Sequence, residues 1–147
     1  MEANGLKIKF VKLHKDAVVP VYEHYGDAAC SLRVVEDYTV GPMKRVLAKT
    51  GLSIAIPYGF EGQIRPRSGK AWKEGLTVIN SPGTIDCAYT GEVMVALVNL
   101  SDKDVTVNKG DAVAQLKFSP VYVGYFMEVQ SLDETSRGAG GFGSTGR

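Results

Sequence analysis

Asp86 stands between Ile85 and Cys87, three residues before Tyr89, in the run Asn80-Ser-Pro-Gly-Thr-Ile-Asp-Cys-Ala-Tyr-Thr-Gly-Glu92. A carboxylate held in partly apolar surroundings acts as a general base on a water, the step that hydrolysis of a phosphoanhydride requires. The Pro82-Gly83 pair is a turn signal and predicts a hairpin mouth whose backbone donors and acceptors could read a flat base. Each residue also has a plainer reading: Asp86 as a turn aspartate solvating its own backbone, Tyr89 as a half-buried strand residue.

Two further stretches carry anion chemistry, and a third sets a lone amide, structural on its plainer reading, beside apolar neighbours. Arg65-Pro-Arg-Ser-Gly-Lys70 joins fixed positive charge to Ser68 and Gly69 at the start of a short helix, where backbone N–H groups are free. A basic surface turn explains the same residues, and the absence of a GxxxxGK[ST] pattern excludes a P-loop. Gly110 to Leu116 is a tight turn feeding a strand, with Gln115 between apolar neighbours and in need of a hydrogen-bond partner if buried. The chain closes on Arg137-Gly-Ala-Gly-Gly-Phe-Gly-Ser-Thr-Gly-Arg147, in which half of the last ten residues are glycine. Glycine lets backbone N–H groups converge on a ligand, Ser144 and Thr145 add hydroxyl donors, and arginine adds charge with bidentate geometry. Composition alone describes a disordered terminus. Phe142 argues for a mobile lid ordered by a phosphorylated ring compound, because linkers seldom set a lone aromatic among glycines.

These stretches need a scaffold, and the rest of the chain supplies a β-rich one. At 147 residues the length fits one domain, and a formal net charge of +1 gives no broad basic surface, so a small ligand is expected and nucleic acid polymers are not. With no long apolar run and no signal-like N-terminus, the expectation is no membrane and a cytoplasmic protein, with nucleus or virus-infected cell left open. Cys30 and Cys87 have neither CxxC spacing nor neighbouring histidines, which reads as reduced thiols and not a zinc site. Period-two faces recur at Leu6/Ile8/Phe10, Leu52/Ile54/Ile56 and Val93/Val95/Leu97 with Asn99. Further strands are predicted at 32–35, 45–48, 62–65, 76–79, 105–107, 113–118 and 121–129, and one helix at 68–74, begun by Ser68 and ended before Gly75. Many short strands at this spacing imply a sandwich or barrel-like all-β domain.

In this order and spacing, Arg67-Ser-Gly69, Asn80 to Glu92, Gly110 to Leu116 and Arg137 to Gly146 resemble the trimeric deoxyuridine triphosphatases (dUTPases), over about Asp27 to Gly146. The resemblance implies an all-β, single-domain, jelly-roll-like (β-clip) barrel with one short helix, a body at 1–130 and a flexible glycine-rich lid at 131–147. It implies a homotrimer with active sites shared between subunits, splitting dUTP into dUMP and diphosphate with Mg2+. By position, Asp86 is similar to the family's general base and Tyr89 to the ring against the deoxyribose. Asn80, Gly83, Thr84, Ile85 and Met94 match the uracil-reading segment. Arg67, Ser68, Gly69 and Gln115 match the phosphate-binding positions, and Arg137, Phe142, Gly143, Ser144 and Thr145 match the closing arm. No direct protein ligand to the metal is expected. One segment departs: Asp27-Ala-Ala-Cys-Ser-Leu32 carries Ser31 where the family has an aspartate facing the metal-bound waters. Lys70 is also unusual after Ser-Gly, and could turn to the phosphates. Beside hydrolysis stand two other readings on the same fold, a low-activity dUTP-binding regulatory protein, favoured by Ser31, and a dCTP deaminase.

Overall fold

The computed structural model describes residues 5–143. Its first four-stranded antiparallel sheet is ordered β1 (Lys9–Lys12), β4 (Arg45–Ala55), β8 (Glu92–Asn99) and β6 (Leu76–Val78). A second, ordered β2 (Cys30–Arg33), β10 (Ala112–Pro120), β5 (Phe60–Pro66) and β7 (Gly83–Ile85), is also antiparallel. A two-stranded ribbon pairs β3 (Tyr38–Val40) with β9 (Val105–Val107). Period-two alternation decides which face each strand buries: Val93, Val95 and Leu97 of β8 are fully enclosed while Met94 and Ala96 between them are half-buried. Leu32, Ile64, Ile85 and Leu116 of one sheet meet Ala48, Ile54, Leu76 and Leu97 of the other in a single apolar cluster. Two sheets therefore share one core, as in a sandwich.

The expected barrel does not form. Among the described residues the strands make three separate sheets and none closes on itself. Closure needs hydrogen-bonded ladders between the outermost strands, and β1, β2, β6 and β7 are edges of only three or four residues. The sheets meet through side chains instead. All-β character with one short helix holds; barrel closure does not.

Helix α1 (Ser68–Glu74) has the expected bounds but a different start. Arg67, with extended backbone, is the N-cap residue, there is no side-chain cap, and Ser68 is the first helical residue. Gly75 ends the helix at φ 70°, donating its N–H to the carbonyl oxygens of Ala71 and Lys70. Glycine is required there twice over, since a Cβ would also stand 2.9 Å from the backbone nitrogen of Ser101. The first predicted face is shifted, with pairing beginning at Lys9. The segment 121–129 is not a strand: β10 ends at Pro120 and Tyr122, Tyr125, Phe126 and Met127 stay exposed. Among the described residues no helix is long and apolar enough to cross a membrane.

Candidate functional site

The run from Asn80 to Met94 is not a hairpin. Leu76–Val78 pairs with β8 in the first sheet, whereas Gly83–Ile85 pairs with β5 in the second. The chain thus crosses from one sheet to the other at residues 79–82 and back at 86–91. Two crossings side by side leave a cleft of about 250 Å³, lined by Asn80, Gly83, Thr84, Ile85, Asp86, Tyr89 and Met94. Seven residues predicted to hold a nucleoside and its general base are thereby brought together. Asp86 follows β7 directly: Ile85 is buried, Cys87 half-buried and Asp86 itself exposed at the lip. The returning turn is tightly tied. Tyr89 donates its N–H to Asp86 O at 3.0 Å and its hydroxyl to Glu92 O at 2.8 Å. Ser53 Oγ donates to Thr90 O at 2.7 Å, and Gly51 N–H to Glu92 Oε1 at 2.9 Å.

The anion-binding candidates gather elsewhere, in a wider cleft of about 740 Å³ containing Ser31, Arg67, Ser68, Gly69 and Gln115. Ser31 on β2 and Gln115 on β10 are register partners, so pairing sets them side by side. Gln115 Nε2 donates to Pro66 O at 2.9 Å, which meets its predicted need for a partner and fixes the chain just before the helix. Arg67 Nη1 donates to Ser31 Oγ at 2.7 Å, and Ser31 is only 6 % exposed. Lys70 is not free for an anion in this arrangement: its ammonium pairs with Glu74 at 3.0 Å. The cleft wall carries six cations against four carboxylates. With Arg33–Glu23 and Lys70–Glu74 paired, Arg65, Arg67, Lys73 and Lys117 face Asp27 and Asp111, an excess that favours an anion. Arg33 and Lys117 were not singled out from sequence, because neither belongs to a turn or a glycine-rich motif.

The two clefts share no lining residue. The described part of the arm lines neither of them: Arg137 is exposed and donates its Nε–H to Gly140 O at 2.9 Å, while Phe142, followed by Gly143, is fully exposed. Ser144 and Thr145 lie outside the described residues. Among those described, no three His, Cys, Asp or Glu side chains gather as a metal-binding group.

Comparison with known proteins bears on what the clefts hold. A family model described as dUTPase matches residues 15–146. The deoxyuridine 5'-triphosphate nucleotidohydrolase of Wolinella succinogenes is 48 % identical over 146 residues, covering 99 % of this chain and 98 % of that protein. The protein of the same name from Hydrogenobaculum sp. is 49 % identical over 142 residues, covering 96 % and 99 %. Among solved structures, the dUTPase of Staphylococcus bacteriophage 80alpha with dUPNHPP superposes with a TM-score of 0.88 over 96 % of this chain and 99 % of that one. Sequence identity there is 24 %, so this likeness speaks to the fold.

Proposed function

The chain belongs to the dUTPase family, enzymes that hydrolyse dUTP to dUMP and diphosphate, and from that premise we propose that its active site is assembled from separate chains of a homotrimer. The observation that carries this reading is the division of the site residues between two clefts with no lining residue in common. At about 250 Å³, the smaller cleft falls below the roughly 300–1,000 Å³ of pockets that enclose a whole drug-sized ligand. It suits the nucleoside end of dUTP. The cation-rich cleft suits the triphosphate of a substrate seated on the neighbouring chain, and the arm from Arg137 through Thr145 closes over the junction.

In the reaction, Asp86 accepts a proton from a water as the oxygen of that water attacks the α-phosphorus. The bond from the α-phosphorus to the oxygen bridging to the β-phosphorus breaks, and diphosphate leaves with that electron pair. Asn80 and the backbone of Gly83, Thr84 and Ile85 read the uracil edge, with Met94 beside them, and the Tyr89 ring crowds the position of a ribose 2′-hydroxyl. Arg67, Ser68, Gly69 and Gln115 hold the phosphates, and Phe142 covers the base. A metal cofactor accompanies the family, and we read it as Mg2+ carried by the triphosphate and water, since among the described residues the four carboxylates of the wall do not gather in threes as a metal-binding group and the Ser31 hydroxyl and Gln115 amide stand beside it. When bound, the ion neutralises charge on the phosphoryl oxygens.

Diphosphate release from each deoxynucleoside triphosphate and from UTP, with Mg2+ present, tests the pocket. Efficient turnover of dUTP alone is expected, because a site with polar groups matched to one base edge leaves them unpaired against another, at about 1–3 kcal/mol each. Comparable turnover of dTTP or UTP would overturn the assignment of the smaller cleft. Hydrolysis, not binding alone or deamination, is the activity that family membership supports.

A further inference from the structure

Gly91 ends the turn that carries Tyr89, and the tyrosine ring lies directly on it. A Cβ at Gly91 would stand 2.6 Å from Tyr89 Oη, 2.7 Å from Cζ and 3.0 Å from Cε2, closer than carbon can approach a ring without displacing something. The backbone of Gly91 is not in the left-handed region, so no turn conformation demands glycine there. The three nearest obstacles to a side chain there all belong to the tyrosine ring and its hydroxyl.

The ring is also the part that would give way. The backbone of the turn is held by Ser53 on Thr90, by Gly51 on Glu92 and by its own Tyr89-to-Asp86 bond, at 2.7, 2.9 and 3.0 Å. Tyr89 as a residue is 43 % exposed, and its ring is tethered by one hydroxyl bond to Glu92 O. A methyl group at position 91 therefore lifts the ring from its floor and leaves the turn where it is. The geometry points to Gly91 as the positioning residue that sets the height of the Tyr89 ring over the nucleoside cleft, and thereby the discrimination between deoxyribose and ribose. Gly91 acts through Tyr89, and the inference rests on the reading of Tyr89 as the ring against the sugar.

The test compares kcat/KM for dUTP and for UTP in the wild type, Gly91→Ala, Tyr89→Ala and the double variant, with thermal unfolding of each. Gly91→Ala is expected to unfold cooperatively like the wild type and to lower the dUTP-to-UTP ratio by about tenfold or more, the scale of a sub-ångström to ångström misplacement. In the Tyr89→Ala background the same change should leave the ratio untouched, since the group it displaces is gone. A wild-type ratio in Gly91→Ala, with the ratio lost in Tyr89→Ala, overturns the role of Gly91 while sparing that of Tyr89. An undiminished ratio in Tyr89→Ala overturns the reading of Tyr89 itself. Loss of cooperative folding in Gly91→Ala, or a further fall in the double variant, shows that the backbone yields instead of the ring and also overturns the proposal.

Discussion

Asp86→Asn keeps the size and polarity of the side chain and removes its capacity to take a proton. Turnover of dUTP should fall by at least about 100-fold while calorimetric binding of a non-hydrolysable dUTP analogue persists. A near-wild-type rate would hand the water to another group. Ser31 poses a different question, because its oxygen accepts a hydrogen bond from Arg67. Ser31→Ala leaves that guanidinium with water as a partner, and KM for dUTP should rise by about fivefold, the worth of roughly one hydrogen bond of 1 kcal/mol. Ser31→Asp adds a carboxylate on the wall of the cation-rich cleft and should raise activity at limiting Mg2+ by about 10-fold, with the gain vanishing at saturating metal. Magnesium dependence unchanged in Ser31→Asp would leave Arg67 as the sole business of Ser31. Residue types at this scale were legible in the sequence, but partners were not: Ser31 and Arg67 are 36 positions apart, and only the pairing of β2 with β10 and of β10 with β5 brings them into contact.

At the scale of elements, local signals succeeded where one segment decides its own fate. Helix α1 runs from Ser68 to Glu74 because Gly75 can adopt the left-handed conformation that ends it. Elements that depend on a distant partner were harder to read. The Pro82-Gly83 turn was legible, yet whether its arms pair with each other or diverge into two sheets depends on β5 and β8, and they diverge. Barrel closure failed as an expectation for the same reason, since strand spacing says nothing about which edges meet. Asn99 shows what a polar residue inside an apolar strand accomplishes. It is fully buried at the end of β8, and its Nδ2 donates to Val40 O and Lys103 O while its Oδ1 accepts from the N–H and hydroxyl of Ser101. Asn99→Leu takes the side-chain partner from the Val40 carbonyl and from the Ser101 N–H, while Ser101 Oγ and Lys103 O keep each other, so unfolding in urea should reveal a loss of about 2–4 kcal/mol. Cys30 is the opposite case. Burial pushes its thiol pKa up and its Sγ–H donates to Leu116 O, so the thiolate is scarce at pH 8. Iodoacetamide on the native protein should label half-buried Cys87 well before Cys30, as read by mass spectrometry.

For the whole molecule, the separation of the clefts makes a mixing experiment decisive. Arg67→Ala disables the phosphate side and Asp86→Asn the water-activating side, and neither pure variant should turn over dUTP. Unfolding them together and refolding at equal amounts should restore about one quarter of wild-type activity, the fraction of junctions that by chance join two intact halves in a closed symmetric assembly. No recovery would mean that both halves of a site come from one chain. Cutting the chain before Arg137 should leave the assembly intact by sedimentation while catalysis drops sharply, because on the proposed reading the arm closes over the site, and none of its described residues belongs to the core cluster. The last segment of the body has a further effect. Val121, Val123, Phe126 and Met127 are uncovered in the isolated chain, an apolar stretch that a monomer would have to keep in water. If neighbouring chains of the proposed homotrimer cover it, folding is coupled to association, and the melting temperature should climb with protein concentration. On the proposed shared site, dilution then acts as an inhibitor: a chain that falls away from its neighbours would retain both clefts but lose the partner that completes each, and specific activity would become a function of how much enzyme is present.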